Sequence, residues 1–189
     1  MVLAWNERVG VPRVRAMIMP RGSNQLLLPA KPFFVAMTLM LALGFNMLPF
    51  GRQPAMPDML MVVLMFWAVH QPRRVGMGVA FALGLAMDVN QGALLGQHAL
   101  AYTLLNFVAV SIHRRLLWFG VLEQALQILP VFFAVHAVSL LVRLLAGGLF
   151  PGWTVLAAPL FEALLWPVAT GLLLAPQRRA PDPDQNRPL

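Results

Sequence analysis

The side chains able to do acid–base, nucleophilic or metal chemistry are few and scattered in this 189-residue chain: seven Asp or Glu, four His at 70, 98, 113 and 136, and no Cys. The missing cysteine removes disulfides, thiolate nucleophiles and cysteine metal sites. The histidines lack the close spacing of a metal-binding set, and neither a phosphate-cradling glycine loop nor a serine elbow is present. A membrane enzyme would need several acidic or basic groups converging at one interface. The sequence therefore predicts no catalytic residue, no metal and no cofactor.

What remains is a handful of polar groups inside or beside apolar runs. Asp88, in AMDVNQGALLG, ends a helical run at its C-terminal side, where the helix dipole disfavours a carboxylate and burial costs a few kcal/mol. A compensating donor is expected, with Arg52 and Arg143 on the same side of the predicted topology, so a salt bridge or loop cap is the structural reading and a ligand site the functional one. His136 and Glu162 each lie eight or nine residues into their runs from one side, roughly 12 to 14 Å deep at 1.5 Å per residue. Matching depth predicts that they pair, for packing specificity more than proton transfer. Glu123, with Gln124 and Gln127, enters its helix near the opposite face and is assigned no catalytic role.

The elements that must position these groups are membrane helices. Hydrophobic residues make up 59% of the chain and charged ones 11%, against about a quarter charged in soluble domains. Apolar runs cover about 32–50, 58–70, 75–88, 98–112, 117–145 and 154–175, the fifth carrying Pro130 as a kink site. Twelve of the fourteen Lys and Arg lie in the N-terminal segment, the turns at 71–74 and 113–116 and the C-terminal tail, leaving Arg52 and Arg143 elsewhere. Because basic residues resist translocation, this alternation predicts six transmembrane helices with both ends in the cytoplasm. The net charge of +7 is thus read as topology signal and contact with anionic lipid, not nucleic-acid binding.

The expected organisation is a basic cytoplasmic segment over 1–31, an all-α polytopic six-helix bundle over 32–176 and a disordered tail over 177–189. A variant has 59–95 as a shallow hairpin that does not cross twice. On the third helix Gly76, Ala80, Gly84 and Asp88 recur every fourth residue, with Gly78, Ala82 and Ala86 as a neighbouring stripe expected on the same face. Small residues let helix backbones approach closely where lipid removes the hydrophobic drive. The face is read as intramolecular packing ahead of a partner interface.

From the second helix onward the series FWAVHQPRRVGMGVAFALGLAMDVNQGALLG resembles the MreD family of rod shape-determining proteins. The matching positions are Phe66, Trp67, Pro72, Arg74, Val75, Gly76, Gly78, Gly84, Asp88, Gly92, Leu95 and Gly96, followed by EQAL at 123–126 and LLWP at 164–167 with Trp166 and Pro167. The resemblance implies a non-enzymatic bacterial inner-membrane scaffold of the cell-elongation machinery. Its implied partners are MreC directly and, through it, MreB and the lateral-wall peptidoglycan synthases; self-association stays open. The family is also similar in architecture to the substrate-capture subunits of vitamin transporters. A competing reading is therefore a small-molecule capture subunit with a polar cavity lined by Asn46, Asp88, Asn106 or His136.

Overall fold

The computed structural model describes residues 30–48 and 55–177. The basic segment up to residue 29, the tail from 178 and Arg52 lie outside the described residues. Six α-helices follow in order: α1 (Pro32–Met47), α2 (Met59–His70), α3 (Met77–Gln91), α4 (Gln97–Leu116), α5 (Val121–Leu145) and α6 (Ala157–Leu174). No strand occurs among the described residues. Short 3-10 turns at Trp153–Leu156 and Ala175–Gln177 extend α6 at both ends.

Local sequence explains where the helices begin and end. Pro32 takes the first position of α1, where its missing N–H is not needed. Asp58 starts α2 by accepting from Met61 N at 2.9 Å. Gly92 at φ 60° closes α3 and Gly96 at φ 103° opens α4, left-handed conformations that only glycine adopts cheaply. Glu123 reaches back to Gly120 N at 3.3 Å to start α5, so the fifth helix begins four residues later than the run from 117 suggests. α5 runs unbroken through Pro130, and α6 through Pro167.

α2 is the axis of the bundle. Nine of its twelve residues are buried, and it packs against α1, α4 and α6. A helix apolar on every side has no solvent face, so it is enclosed by its neighbours. Phe66 and Trp67 meet edge to face at 5.0 Å, Phe34 of α1 approaches Trp67 at 5.9 Å, and Trp166 of α6 lies 6.2 Å from Phe66. Trp67 Nε1 also donates to Thr38 Oγ1 at 2.9 Å, and the Thr38 hydroxyl in turn donates to Val35 O. The aromatic pair thus ties three helices together.

The outer surface is apolar as well. Leu122, Leu126, Leu145, Leu164 and Leu172 are each 70% or more exposed, an arrangement a water-soluble domain would avoid. Two 25-residue rods, Val121–Leu145 and Trp153–Gln177, are long and apolar enough to cross a membrane; Pro32–Met47 and Met59–His70 are apolar but shorter. At 1.5 Å per residue α2 measures about 18 Å, well short of the roughly 30 Å of a bilayer core.

α3 and α4 form the most closely packed pair. Ala80, Gly84 and Asp88 are buried, and a Cβ on Gly84 would overlap the Ala99 backbone and come within 2.7 Å of the His98 carbonyl carbon. That stripe is covered by α4 and unavailable to a partner. The expectation that both stripes share one face is corrected: Gly78 and Ala82 are exposed and Ala86 half-buried. Positions two apart are about 200° apart around a helix of 3.6 residues per turn, and only one of the two stripes can face α4. Gly76 is the residue before α3, and a Cβ placed on it would meet nothing within 4 Å.

Candidate functional site

Polar side chains from five places in the chain meet at one end of the bundle. Asp58 is the centre. Its Oδ1 accepts from Asn46 Nδ2 and Met61 N, and its Oδ2 accepts from the hydroxyl of Tyr102, which is fully buried on α4. Asn46 Oδ1 in turn accepts from Met59 N at 3.1 Å. The N-terminus of α2 is therefore held by a carboxylate from its own cap and an amide from α1, and the positive helix end stabilises the charge of Asp58.

Glu162 of α6 lies behind this centre, fully buried, and its Oε1 accepts from Asp58 N at 3.0 Å. His136 Nε2 stands 3.4 Å from the same oxygen. His136 Nδ1 donates to Phe132 O at 3.1 Å, so in the neutral ring Nε2 carries no proton and faces a carboxyl oxygen: two acceptors that need one proton between them. Glu162 Oε2 is buried and has no hydrogen-bond partner among the described residues. The depth-matched residues are thus neighbours across α5 and α6.

Of the two structural readings of Asp88, salt bridge or loop cap, the geometry is that of a loop cap. It meets no arginine among the described residues. Instead its carboxylate accepts from Gly96 N at 2.8 Å, His98 N at 2.7 Å and, weakly, Ala99 N at 3.4 Å, while His98 Nδ1 donates to Oδ1 at 2.8 Å. Gly96 has no side chain with which to cap α4, and Asp88 does the capping from α3. The C-terminal end of its own helix disfavours the charge, but the N-terminal end of the next one lies against it and reverses the sign. Arg143 sits instead beside Gly148, whose N–H donates to Arg143 O at 2.9 Å.

Above these groups opens a cavity of about 680 Å³, lined in part by Asn46, Asp58, Gln97, His98, His136 and Arg143. Of the residues expected under the capture reading, Asn46 and His136 line it. Asp88 is enclosed in the α3–α4 turn, and Asn106 lies at the other end of the bundle, its amide set between Val75 O and Met77 N at 3.2 and 3.0 Å. Asn106 thus secures the start of α3 and cannot reach the cavity. Among the described residues no group of three or more His, Asp or Glu is arranged to hold a metal ion.

Asp58 and Tyr102 are the functional-site residues that sequence reasoning missed. Asp58 follows Pro57 and precedes an apolar run, the pattern of a helix cap, and Tyr102 is the single tyrosine of the chain; either was a usable signal.

At the opposite end, two distant sequence segments meet. Gln124, from EQAL, accepts from Trp166 Nε1, from LLWP, at 3.1 Å and donates to Phe119 O at 3.0 Å. The Arg74 guanidinium donates to Ala30 O, fastening the α2–α3 turn to the start of α1. Pro72 lies in that turn, while Pro167 follows Trp166 within α6.

Several of the positions that carry family likeness hold the bundle, Phe66, Trp67 and Trp166 in its interior, Gly92 and Gly96 in its tightest turn and Asp88 as the cap, whereas Gly78 and Leu95 are exposed. Residues 24–176 match the model of the family described as rod shape-determining protein MreD. The rod shape-determining protein MreD of Haemophilus influenzae is 32% identical over 123 residues, which cover 63% of this chain and 74% of the relative. No solved structure matches the chain. With the family match running through all six helices and both ends of the bundle, the chain belongs to the MreD family of rod shape-determining membrane proteins.

Proposed function

We propose that the chain is a non-enzymatic scaffold of the bacterial cell-elongation complex, crossing the inner membrane six times with both ends in the cytoplasm. In this reading it binds MreC directly and, through it, works with MreB and the synthases of the lateral wall to maintain rod shape. The observation that carries the reading is the family match over residues 24–176.

The orientation is supported by how charge divides between the two ends of the bundle. Lys31, Arg73, Arg74, Arg114 and Arg115 fall at the end where Arg74 holds Ala30. Among the described residues, only Arg143 represents Lys or Arg at the end holding Asp58 and Asp88. Basic loops stay on the cytoplasmic side, where they also attract anionic lipid. The short α2 crosses enclosed by α1, α4 and α6, and α3 crosses beside α4 with its other face turned outward, each lengthened by its turns.

Two experiments test this. Depletion in a rod-shaped host makes cells round, and purification in mild detergent recovers MreC; if neither happens, the scaffold reading fails. Because the chain lacks cysteine, single replacements can be labelled with a membrane-impermeant maleimide in intact cells. R114C is expected to stay unlabelled and L149C, at a position 84% exposed, to react, and the reverse pattern would invert the topology.

A further inference from the structure

The cavity at the Asp58 end has a lining that bundle packing does not account for. The acidic group in its lining, Asp58, is already engaged by Asn46, Tyr102 and Met61 N; nearby Asp88 is engaged by the start of α4 and the His98 ring, and Glu162 lies behind Asp58, outside the lining. By contrast, Arg143 pairs with no carboxylate among the described residues. The side chains of Gln91, Gln97 and Ser139, which also line the space, make no hydrogen bond among those residues. His98 donates through Nδ1 to Asp88, which leaves Nε2 an acceptor in the neutral ring.

The uncommitted groups decide the chemistry of an occupant. A guanidinium brings a permanent positive charge, five N–H donors and no acceptor, and two amides and a hydroxyl add donors beside it. A cation would meet carboxylates that are already occupied and a guanidinium that repels it. An acceptor-rich anion matches instead. The volume, about 680 Å³, lies within the range of roughly 300 to 1,000 Å³ typical of small-molecule sites.

We propose that this cavity binds a small organic oxyanion, whose carboxylate or phosphate seats on Arg143 and whose hydroxyl- or amide-bearing body reaches Gln91, Gln97, Ser139 and His98. The oxyanion belongs to a soluble metabolite or to a phospholipid headgroup entering from the adjoining leaflet. Partner binding through the outer helix faces does not require it, so the site is an addition to the scaffold reading.

The test uses the full chain in nanodiscs of phosphatidylcholine alone or with phosphatidylglycerol, titrated with glucose 6-phosphate and, as the uncharged control, glucose. Glucose 6-phosphate is expected to bind in phosphatidylcholine discs at least tenfold more tightly than glucose. R143Q should weaken it by about tenfold to a hundredfold, the range that losing a charge-assisted contact brings. Competition by phosphatidylglycerol against the wild-type protein identifies a lipid source, and its absence a soluble one. Filling the space with S139L should abolish binding while the detergent unfolding midpoint stays unchanged. Glucose 6-phosphate that does not bind, binds no better than glucose, or binds R143Q as well as wild type overturns the proposal. Capture of MreC by the same preparations reports separately on the scaffold reading.

Discussion

Replacing Asp88 by alanine removes one carboxylate and strands the start of a helix in another part of the chain. Asp88 is almost completely buried, and its two best backbone contacts, to Gly96 N at 2.8 Å and His98 N at 2.7 Å, have the length of charge-assisted bonds. The Ala99 contact at 3.4 Å is too long to count for much. An unmet buried donor costs about 1–3 kcal/mol, so two sum to about 4 kcal/mol. Relief from burying a carboxylate beside its own helix C-terminus offsets part of this. D88A is therefore expected to lose about 2–4 kcal/mol, more than the ~0.5–2 kcal/mol usual for a helix cap. D88N, which keeps one acceptor oxygen and turns an amide NH₂ toward the remaining donors, should fall between D88A and wild type. The assay is reversible unfolding in mixed micelles titrated with SDS, followed by tryptophan fluorescence. A loss below about 0.5 kcal/mol for D88A, or D88N less stable than D88A, would refute the capping argument.

Other predictions probe the remaining contacts. G84V pushes a branched side chain into the Ala99 backbone and should cost at least the ~1–3 kcal/mol of an overpacked core, while G78V, on an open face, should cost under about 1 kcal/mol in the same unfolding assay. W166F removes the donor to buried Gln124 and should cost about 1–3 kcal/mol. In W166F/Q124L the losses should be non-additive, because the orphaned amide is gone. E162Q should cost about 1–3 kcal/mol, since Oε1 both accepts from Asp58 N and faces His136 Nε2, and an amide O or NH₂ at that place can serve only one of them. H136A and E162A, measured singly and together, should likewise couple by at least about 0.5 kcal/mol; strictly additive losses would show that their proximity carries no energy.

The helices were readable from the sequence because each apolar run is bounded by Pro, Gly or a basic pair, and the small-residue spacing around Gly84 marked the closest approach. Register on the helix was less readable. Gly78 and Ala82 satisfy the same composition rule as Ala80 and Gly84, and only the position of α4 tells the two stripes apart. The His136–Glu162 approach was accessible because two costly groups at equal depth have few other partners. Asp58 was hidden in plain view: a residue at the edge of a run reads as solvated, and its role arises from a tyrosine 44 positions away and a glutamate 104 positions away. A loop cap at Asp88 was legible, but its donors were not, because they are backbone N–H groups that no side-chain inventory counts.

The bond between Asp58 N and Glu162 also sets a timetable for biogenesis. Its partners are separated by 104 residues, which a ribosome working at about 5–20 residues per second needs roughly 5 to 20 seconds to bridge. Until α6 emerges, the aromatic face of α2 lacks Trp166 and the Asp58 amide lacks its acceptor. The earlier helices must wait in the membrane with their central strut uncovered on one side. That interval gives insertion factors and chaperones a window in which to act, and truncation before residue 162 should leave a nascent chain that is inserted but cannot close.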